Sequence, residues 1–519
     1  MHRTRQRTLG LARSCISVYE SRPMRLTAPL CLTLFACVVV AQADLSRPNI
    51  VLLMGDDHGW EETGYNGHAH LKTPVLDEMA ATGLRLDRFY AGHPSCSPTR
   101  GSVLTGRHPN RYGTFTPNHS MRPKEITVGH LMRQAGYATG HFGKWHVGPV
   151  KKASPTSPGA MGFDEWLSHD NFFELDPVLS RNGGKPEKIR GESSEIVIDA
   201  AIRFIDKANK AGRPSFVIVW FGSPHEPYSG LPKDLALYDN LPEKYARKTV
   251  SLTSNETGGR TKRPLRDVLR ERYAEITAMD RSIGQLRDFL KKTRLRDNTL
   301  LWYCGDNGTP ASGVADSPLR AQKGTMYEGG IRVPGVIEWP ARIPRPMQSS
   351  VPGVTSDILP TLCGIVRVKP PKRPLDGVSL IPILDGVMKS RPKPIQFWAF
   401  SYVNAGRGER KPYLDPELQK GTTPLVKLMR GIPTRNFVNH HHPSIDPVDF
   451  KGPRVIMDNN YKLVIDGSRN SGVELFDLSR DLAEKKNLAE AEPERVAALK
   501  EQLRDWQKSV LNSLMEKDY

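Results

Sequence analysis

Two short apolar runs, far apart in the chain, end in the same way. Asn49-Ile50-Val51-Leu52-Leu53-Met54-Gly55 runs into Asp56-Asp57, and Thr299-Leu300-Leu301-Trp302-Tyr303-Cys304-Gly305 runs into Asp306-Asn307. Short apolar stretches of this kind, with β-branched residues, read as buried strands. Open α/β sheets place their sites at the carboxyl ends of such strands. Adjacent carboxylates there are costly unless something neutralises them. Three carboxylates and one amide make an all-oxygen set that suits calcium or magnesium and argues against zinc. Each pair alone also reads as an ordinary strand-ending turn.

Between and around these runs, strand-like and helix-like segments alternate to about residue 340. Thr73-Pro74 opens a helix that Gly83 stops, and residues 84–90 read as a strand. A helix through Leu131 ends at Gly136 and feeds a strand that reaches Lys144. Helices over about 195–210 and 266–292 precede strands at 216 and 299. In the second helix Ile276, Met279, Ile283, Leu286 and Leu290 form an apolar stripe, read as core. This alternation predicts an α/β sandwich with a largely parallel central sheet over residues 44–387. After Asp376-Gly377-Val378 the pattern changes. Four short strands near 395–400, 454–457, 461–465 and 473–476, with a hairpin turn at Asp458-Asn459-Asn460 and a last helix over about 491–513, predict a smaller antiparallel sheet-and-helix unit over 388–519. Stretches near 147–192, 226–264 and 404–450 read as long irregular loops, which are often functional. Within the last, Asn439-His440-His441-His442 reads as a solvated loop or a pocket wall, since consecutive histidines cannot easily face one metal.

Cys96 stands in Ser95-Cys96-Ser97-Pro98-Thr99-Arg100-Gly101-Ser102-Val103-Leu104-Thr105-Gly106. Ser97 suits a helix cap and Pro98 a first helical position. A helix start favours an anion on Cys96, and Arg100 lies one turn on. An electropositive cysteine at an exposed loop-to-helix junction is a candidate nucleophile; a buried structural cysteine is the plainer alternative. Four further blocks carry chemistry-bearing residues: Gly136-Tyr137-Ala138-Thr139 with Gly143-Lys144-Trp145-His146, Pro224-His225-Glu226-Pro227, Lys323-Gly324-Thr325-Met326-Tyr327-Glu328-Gly329-Gly330-Ile331-Arg332-Val333-Pro334, and the two acidic pairs. If the 144–146 segment is extended, Lys144 and His146 share a face and Trp145 points the other way. Such a pair supplies a fixed cation and a group that moves protons near neutral pH.

The Cys96 segment resembles the sulfatase signature C-x-P-x-R with its closing T-G, with Val103 where leucine is usual. The remaining blocks resemble the family's G-Y-x-T…G-K-W-H, P-H-x-P and K-x-x-x-x-E-G-G-x-R-V-P segments, in family order, with Phe142 at a position usually small and aliphatic. Agreement of five blocks by chance is far less expected than agreement of one. Within the family the pattern is most similar to arylsulfatases and N-acetylgalactosamine-6-sulfatases. The resemblance implies an alkaline-phosphatase-like fold and hydrolysis of sulfate esters. It implies that Cys96 is oxidised to formylglycine (3-oxoalanine) by a formylglycine-generating enzyme, and that Asp56, Asp57, Asp306 and Asn307, with the modified Cys96, bind calcium in preference to magnesium. It further implies that the aldehyde hydrate attacks sulfur, with Arg100 and Lys144 holding its oxygens and Lys323 drawing charge from the sulfate. His225 or Lys323 would protonate the leaving alcohol, and His146 would take the proton whose loss expels sulfate.

Composition bounds the remainder. With 38% hydrophobic and 25% charged residues, the 519-residue chain reads as globular, neither disordered nor multi-spanning. Met24-Arg25, an apolar run from Leu30 to Val40 and Ala41-Gln42-Ala43 read as a leader over residues 1–43 with a small-x-small cleavage site, and so as export to periplasm or medium. The run is too short for a comfortable membrane span. Cys96, Cys304 and Cys363 then remain, which is no disulfide framework. Residues 1–43 hold six arginines against Glu20, net +5, leaving +13 of the total +18 on the remainder. No nucleic-acid motif accompanies this charge, which fits a sulfated carbohydrate or aryl sulfate as substrate. Two rivals stay open: a phosphonate or phosphodiester hydrolase using the same nucleophile, separable by relative rates on matched nitrophenyl esters, and a glycan-binding pseudoenzyme, disfavoured because no site residue is missing.

Overall fold

The computed structural model describes residues 47–254, 257–400, 410–425, 434–468 and 471–519; the leader expected over 1–43 lies outside them. Ten strands form the main sheet: β1 (Asn49–Gly55), β2 (Leu84–Leu86), β3 (Ala138–Lys144), β4 (Glu165–His169), β5 (Val178–Arg181), β6 (Glu187–Lys188), β7 (Ser215–Trp220), β8 (Thr299–Gly305), β9 (Gly335–Glu338) and β10 (Met347–Ser349). Their spatial order is β10-β2-β9-β8-β1-β7-β3-β4-β5-β6. The centre, β8-β1-β7-β3-β4, is parallel throughout, and antiparallel pairs lie outside it.

The apolar runs are continuous because the sheet is covered on both sides. Ile50, Leu52 and Met54 of β1 join one core with Trp302 and Ile218, while Val51 and Leu53 join the other with Tyr303 and Val219. Alternate residues of one strand thus serve opposite cores. The second core is closed by α3 (Ser193–Lys210) and α4 (Leu265–Lys292), which follow α1 (Pro74–Thr82) and α2 (Cys96–Thr105) in the chain. The α4 stripe Ile276, Met279, Ile283, Leu286 and Leu290 is wholly buried there. Helices cover both faces, and a four-stranded antiparallel sheet, β11 (Ile395–Trp398), β12 (Arg454–Asp458), β13 (Tyr461–Ile465) and β14 (Val473–Asp477), packs with α5 (Pro493–Leu514).

Three expectations are corrected. Residues 84–90 form two strands, not one. Asp87 ends β2 by accepting from Arg85 Nε at 2.7 Å, and Phe89–Tyr90 moves into a separate three-stranded sheet with 332–333 and 353–354. The stretch 147–192 is not wholly irregular, since β4, β5 and β6 extend the main sheet; they escape notice because β6 is two exposed charged residues and β5 has only Val178 and Leu179 as apolar members. Within 226–264, Thr249–Thr253 and Arg260–Pro264 pair as a polar hairpin.

Asp376 ties α5 to the large sheet's side of the molecule. Its carboxylate accepts from Arg111 Nε and Nη2 at 2.7 and 2.8 Å, from Trp506 Nε1 of α5 at 2.7 Å, and from the His108 N–H at 2.5 Å. Burial would raise this carboxyl, but Arg111 outweighs it and holds the group far below the usual carboxylate range. A folded value below the unfolded one means that this stabilisation is fully present above about pH 4 and is lost as pH falls below it. Asp376→Ala strips Arg111 of its partner in a buried pair and should cost about 3–5 kcal/mol in urea unfolding at neutral pH. A loss under about 1 kcal/mol would show that the pair holds nothing together.

Candidate active site

The central parallel strands stop in register: Gly55 lies beside Gly305, and Trp220 beside both Met54 and Gly143. The residues that follow therefore emerge along one edge: Asp56-Asp57 after β1, Ser223 to His225 after β7, Asp306-Asn307 after β8, and Lys144 to His146 at the end of β3. Helix α2 brings Cys96 and Arg100 to the same place. It begins at Cys96 with Ser95 as the extended N-cap, two residues earlier than expected, because the Thr99 N–H already bonds Ser95 O. Pro98 still falls in the first turn, where no N–H is needed. Cys96 is not exposed; only 2% of its surface is reached by solvent.

All ten residues singled out in the sequence converge on this edge. Asp56 accepts from Lys144 Nζ at 2.6 Å and lies 3.4 Å from Arg100. Asp57 accepts from Lys323 Nζ at 2.5 Å and from Asn307 Nδ2 at 2.9 Å. Its φ of +64° is left-handed and turns its N–H to Asp306 Oδ1 at 2.9 Å. Asp306 Oδ2 accepts from Arg100 at 2.8 Å, and Arg100 also donates to the Lys144 carbonyl at 3.1 Å. Lys323 Nζ lies 3.8 Å from Cys96 Sγ. Three carboxylates thus meet three cations from distant segments. Burial would raise Asp56, but Lys144 and His225 outweigh it and hold it well below its usual range. Burial, then Asp56, pushes Asp306 up to about 7. Burial, only partly offset by Lys144 and Lys323, pushes the Cys96 thiol up to about 12. An unmodified thiol here is protonated at neutral pH, contrary to the activated cysteine that a helix start implies.

The donor set fits a hard cation. Asp56 Oδ1, Asp57 Oδ2 and Asn307 Oδ1 are buried without a hydrogen-bond partner among the described residues. Ligand atoms of Asp56, Asp57, Cys96 and His225 lie within 4.8 Å of one another. Buried oxygens left without protons to accept are what calcium or magnesium would complete.

The two histidines have defined tautomers. His225 Nδ1 lies 2.5 Å from the Glu226 carbonyl and so carries the proton, leaving Nε2 facing Asp57 at 3.7 Å. His146 is not extended: its φ is +59°, and β3 has already ended at Lys144. Trp145 does turn away into the core. His146 Nε2 lies 3.3 Å from Asn118 Oδ1, which only accepts, so Nδ1 is the unprotonated nitrogen. Burial, then Lys144, holds this imidazole well below its usual value.

Three positioning residues escaped the sequence reading. Phe172 stacks flat on His225 at 4.5 Å. Asn118 links His146 to Ser97 Oγ through its N–H. Arg272, wholly buried in α4, donates to the carbonyls of Asp57 and Pro224 at 2.6 Å each and to Glu62. Only Arg272 left a signal, a charge among Val268, Leu269, Tyr273 and Ile276 on an apolar face. Cys304 and Cys363 are buried and free.

The family profile described as Sulfatase matches residues 48–368, well over half of the chain and every residue of this cluster. The chain belongs to the sulfatase family. It is a sulfuric ester hydrolase with the fold of the sulfatases. N-acetylgalactosamine-6-sulfatase of Mus musculus is 30% identical over 409 residues, covering 70% of this chain and 71% of that protein. Arylsulfatase A of Homo sapiens is 30% identical over 407 residues, covering 73% and 75%. The crystal structure of Ps i-CgsB in complex with k-i-k-neocarrahexaose superposes with a TM-score of 0.70 at 22% identity, over 89% of this sulfatase and 93% of that chain. Among the described residues no helix of this sulfatase is long and apolar enough to cross a membrane.

Proposed function

We propose that this sulfatase is an exported, calcium-dependent enzyme that removes sulfate from carbohydrates through a formylglycine at position 96. One observation carries the reading: a buried cysteine beside Lys144, Lys323 and Arg100 and three oxygens that have no hydrogen bond among the described residues. The thiol is a poor nucleophile in that setting, whereas a hydrated aldehyde supplies one hydroxyl to take the sulfuryl group and a second whose deprotonation releases it. Calcium on Asp56, Asp57, Asp306 and Asn307, with the modified Cys96, would supply charge that stabilises the sulfate oxygens; magnesium demands a more regular octahedral set.

The chain's own residues do the rest. Arg100 and Lys144, both wholly buried, fix the nucleophile's oxygens, and Lys323 sets its ammonium against the sulfate. His225, its Nδ1–H bound to Glu226 O, turns Nε2 inward; either His225 in its imidazolium form, protonated on Nε2, or the Lys323 ammonium, which already carries the proton, delivers it to the leaving alcohol. His146, with Nδ1 free and Nε2–H on Asn118, accepts the proton of the second step. In this reading residues 1–43 are a leader, 44–387 carry the chemistry, and a formylglycine-generating enzyme acts on Cys96 during maturation.

Carbohydrate specificity is supported by the names of the relatives and by the charge of +13 on residues 44–519, which derives from the total of +18. A sulfated polysaccharide should be turned over with a rate that falls with salt, because exposed charges are screened beyond about 10 Å at 0.1 M. A small aryl sulfate should show little salt effect. Free sulfate from a panel of sulfated saccharides at two ionic strengths tests this; activity on aryl sulfates alone would reject the carbohydrate assignment and leave the reaction type.

A further inference from the structure

The residue after His225 is held by a set of bonds of its own. Glu226 takes part in two ways. Its carbonyl accepts from His225 Nδ1 at 2.5 Å. Its carboxylate, partly buried, collects three donors from two other segments. Thr253 Oγ1 and Arg260 Nη1 each donate to Oε1 at 3.1 Å, and Ser312 Oγ donates to Oε2 at 3.3 Å.

Two of these donors come from the polar hairpin of Thr249–Thr253 and Arg260–Pro264. Thr253 and Arg260 are opposite each other in its register, so their side chains leave one face and reach the same oxygen. Leu252 seats the hairpin by packing on Tyr228 and Val268, with Val250 two residues earlier on the same side. Thr253 therefore points the other way, towards Glu226, and is buried there. Arg260 Nη2 also donates to the Ser251 carbonyl at 2.5 Å, which holds the guanidinium against its own ribbon.

The third donor has a direction. A carboxylate only accepts, so Ser312 gives its proton to Glu226 and accepts from the Tyr228 hydroxyl at 3.0 Å. Arg272 Nη1 donates in turn to that hydroxyl at 3.2 Å. Arg272 also holds the carbonyls of Asp57 and Pro224. His225 is thus fixed through Pro224 on one side and Glu226 on the other, with Phe172 against its ring face and Nε2 towards Asp57. The Arg260 side chain is 59% exposed, and ion pairs of that kind contribute about 1 kcal/mol or less to stability. Placement is another matter, since a reacting group displaced by about 1 Å can cost about a hundredfold in rate.

We propose that Glu226 is a positioning residue for departure of the alcohol, and that the hairpin acts through it to aim His225 Nε2 at the leaving oxygen. As the S–O bond breaks, its electron pair stays on that oxygen and the Nε2 proton moves to it. The imidazolium becomes a neutral imidazole whose Nδ1–H remains on the Glu226 carbonyl. The inference rests on the reading in which His225, not Lys323, is the donor.

The test divides kcat/KM on 4-nitrophenyl sulfate by kcat/KM on phenyl sulfate. Each ratio is taken within one full-length protein, so loss of folded enzyme cancels. Nitrophenolate departs with little help, whereas phenolate, about as basic as tyrosinate at pKa about 10, gains from a proton. His225→Ala should raise the ratio at least about tenfold, part of the roughly 10²–10⁴-fold that a general acid supplies. Glu226→Ala should raise it at least about threefold, and so should Thr253→Val combined with Arg260→Ala, which leaves Glu226 in place. Glu226→Gln keeps an oxygen for Thr253 and Arg260 and should bring the ratio back toward the wild-type value. A ratio raised by His225→Ala alone overturns the role of Glu226 and leaves His225 as the donor. Equal losses on both esters in the Glu226 variants, as a merely structural role would give, overturn it in the same way. A ratio that His225→Ala does not move makes Lys323 the donor and overturns the inference together with the His225 reading.

Discussion

Cys96→Ala should lower sulfate release by at least about four orders of magnitude while leaving the protein folded, because a covalent nucleophile has no substitute among its neighbours. The substitution removes one buried atom. Among the described residues its sulfur's one hydrogen bond is the long 3.8 Å approach of Lys323, so the stability cost should be about 1 kcal/mol. Sulfate release and thermal unfolding on the same preparation separate the two effects. A folded Cys96→Ala protein with full activity would rule out any mechanism through this position.

Asp57→Ala should cost at least about a hundredfold in turnover and should weaken calcium binding in parallel. Asp57 holds Lys323 and Asn307 on one carboxylate oxygen, and the other, 3.7 Å from His225 Nε2, has no hydrogen bond among the described residues. Its loss removes an oxygen donor and frees the lysine that faces Cys96. Chelation of the wild-type protein should reproduce the loss and added calcium should reverse it, with bound calcium counted directly. A protein that holds zinc stoichiometrically, and loses activity only as zinc leaves, would contradict the all-oxygen assignment.

Strands β1, β7 and β8 were legible because a strand covered on both faces can run without a polar residue, as in Val217 to Val219 between two cores. The acidic pairs mark where β1 and β8 leave the sheet, and the two strands end side by side at Gly55 and Gly305. Strands β5 and β6 at the end of the sheet and the 249–264 hairpin were not legible, since short polar strands share their composition with loops. At the site, the residue types and their order could be read, but the way their charges are shared could not. Read as a sequence, Asp56-Asp57 and Asp306 call for a cation to neutralise them. In the structure Lys144, Lys323 and Arg100 take up much of that charge, and no spacing in the chain reveals that these three side chains meet the carboxylates. The left-handed turns at Asp57 and His146 were likewise hidden, because both are imposed by neighbours distant in sequence. Phe172 on His225 left no trace at all, as an aromatic in a loop has many explanations.

The most direct measurement is the mass of the peptide containing Cys96, taken from protein that releases sulfate. The predicted result is a residue lighter than cysteine by one sulfur and two hydrogens and heavier by one oxygen, trapped by a carbonyl reagent, in an amount that tracks specific activity. Fully active protein in which this peptide carries an intact, alkylatable thiol would contradict the account.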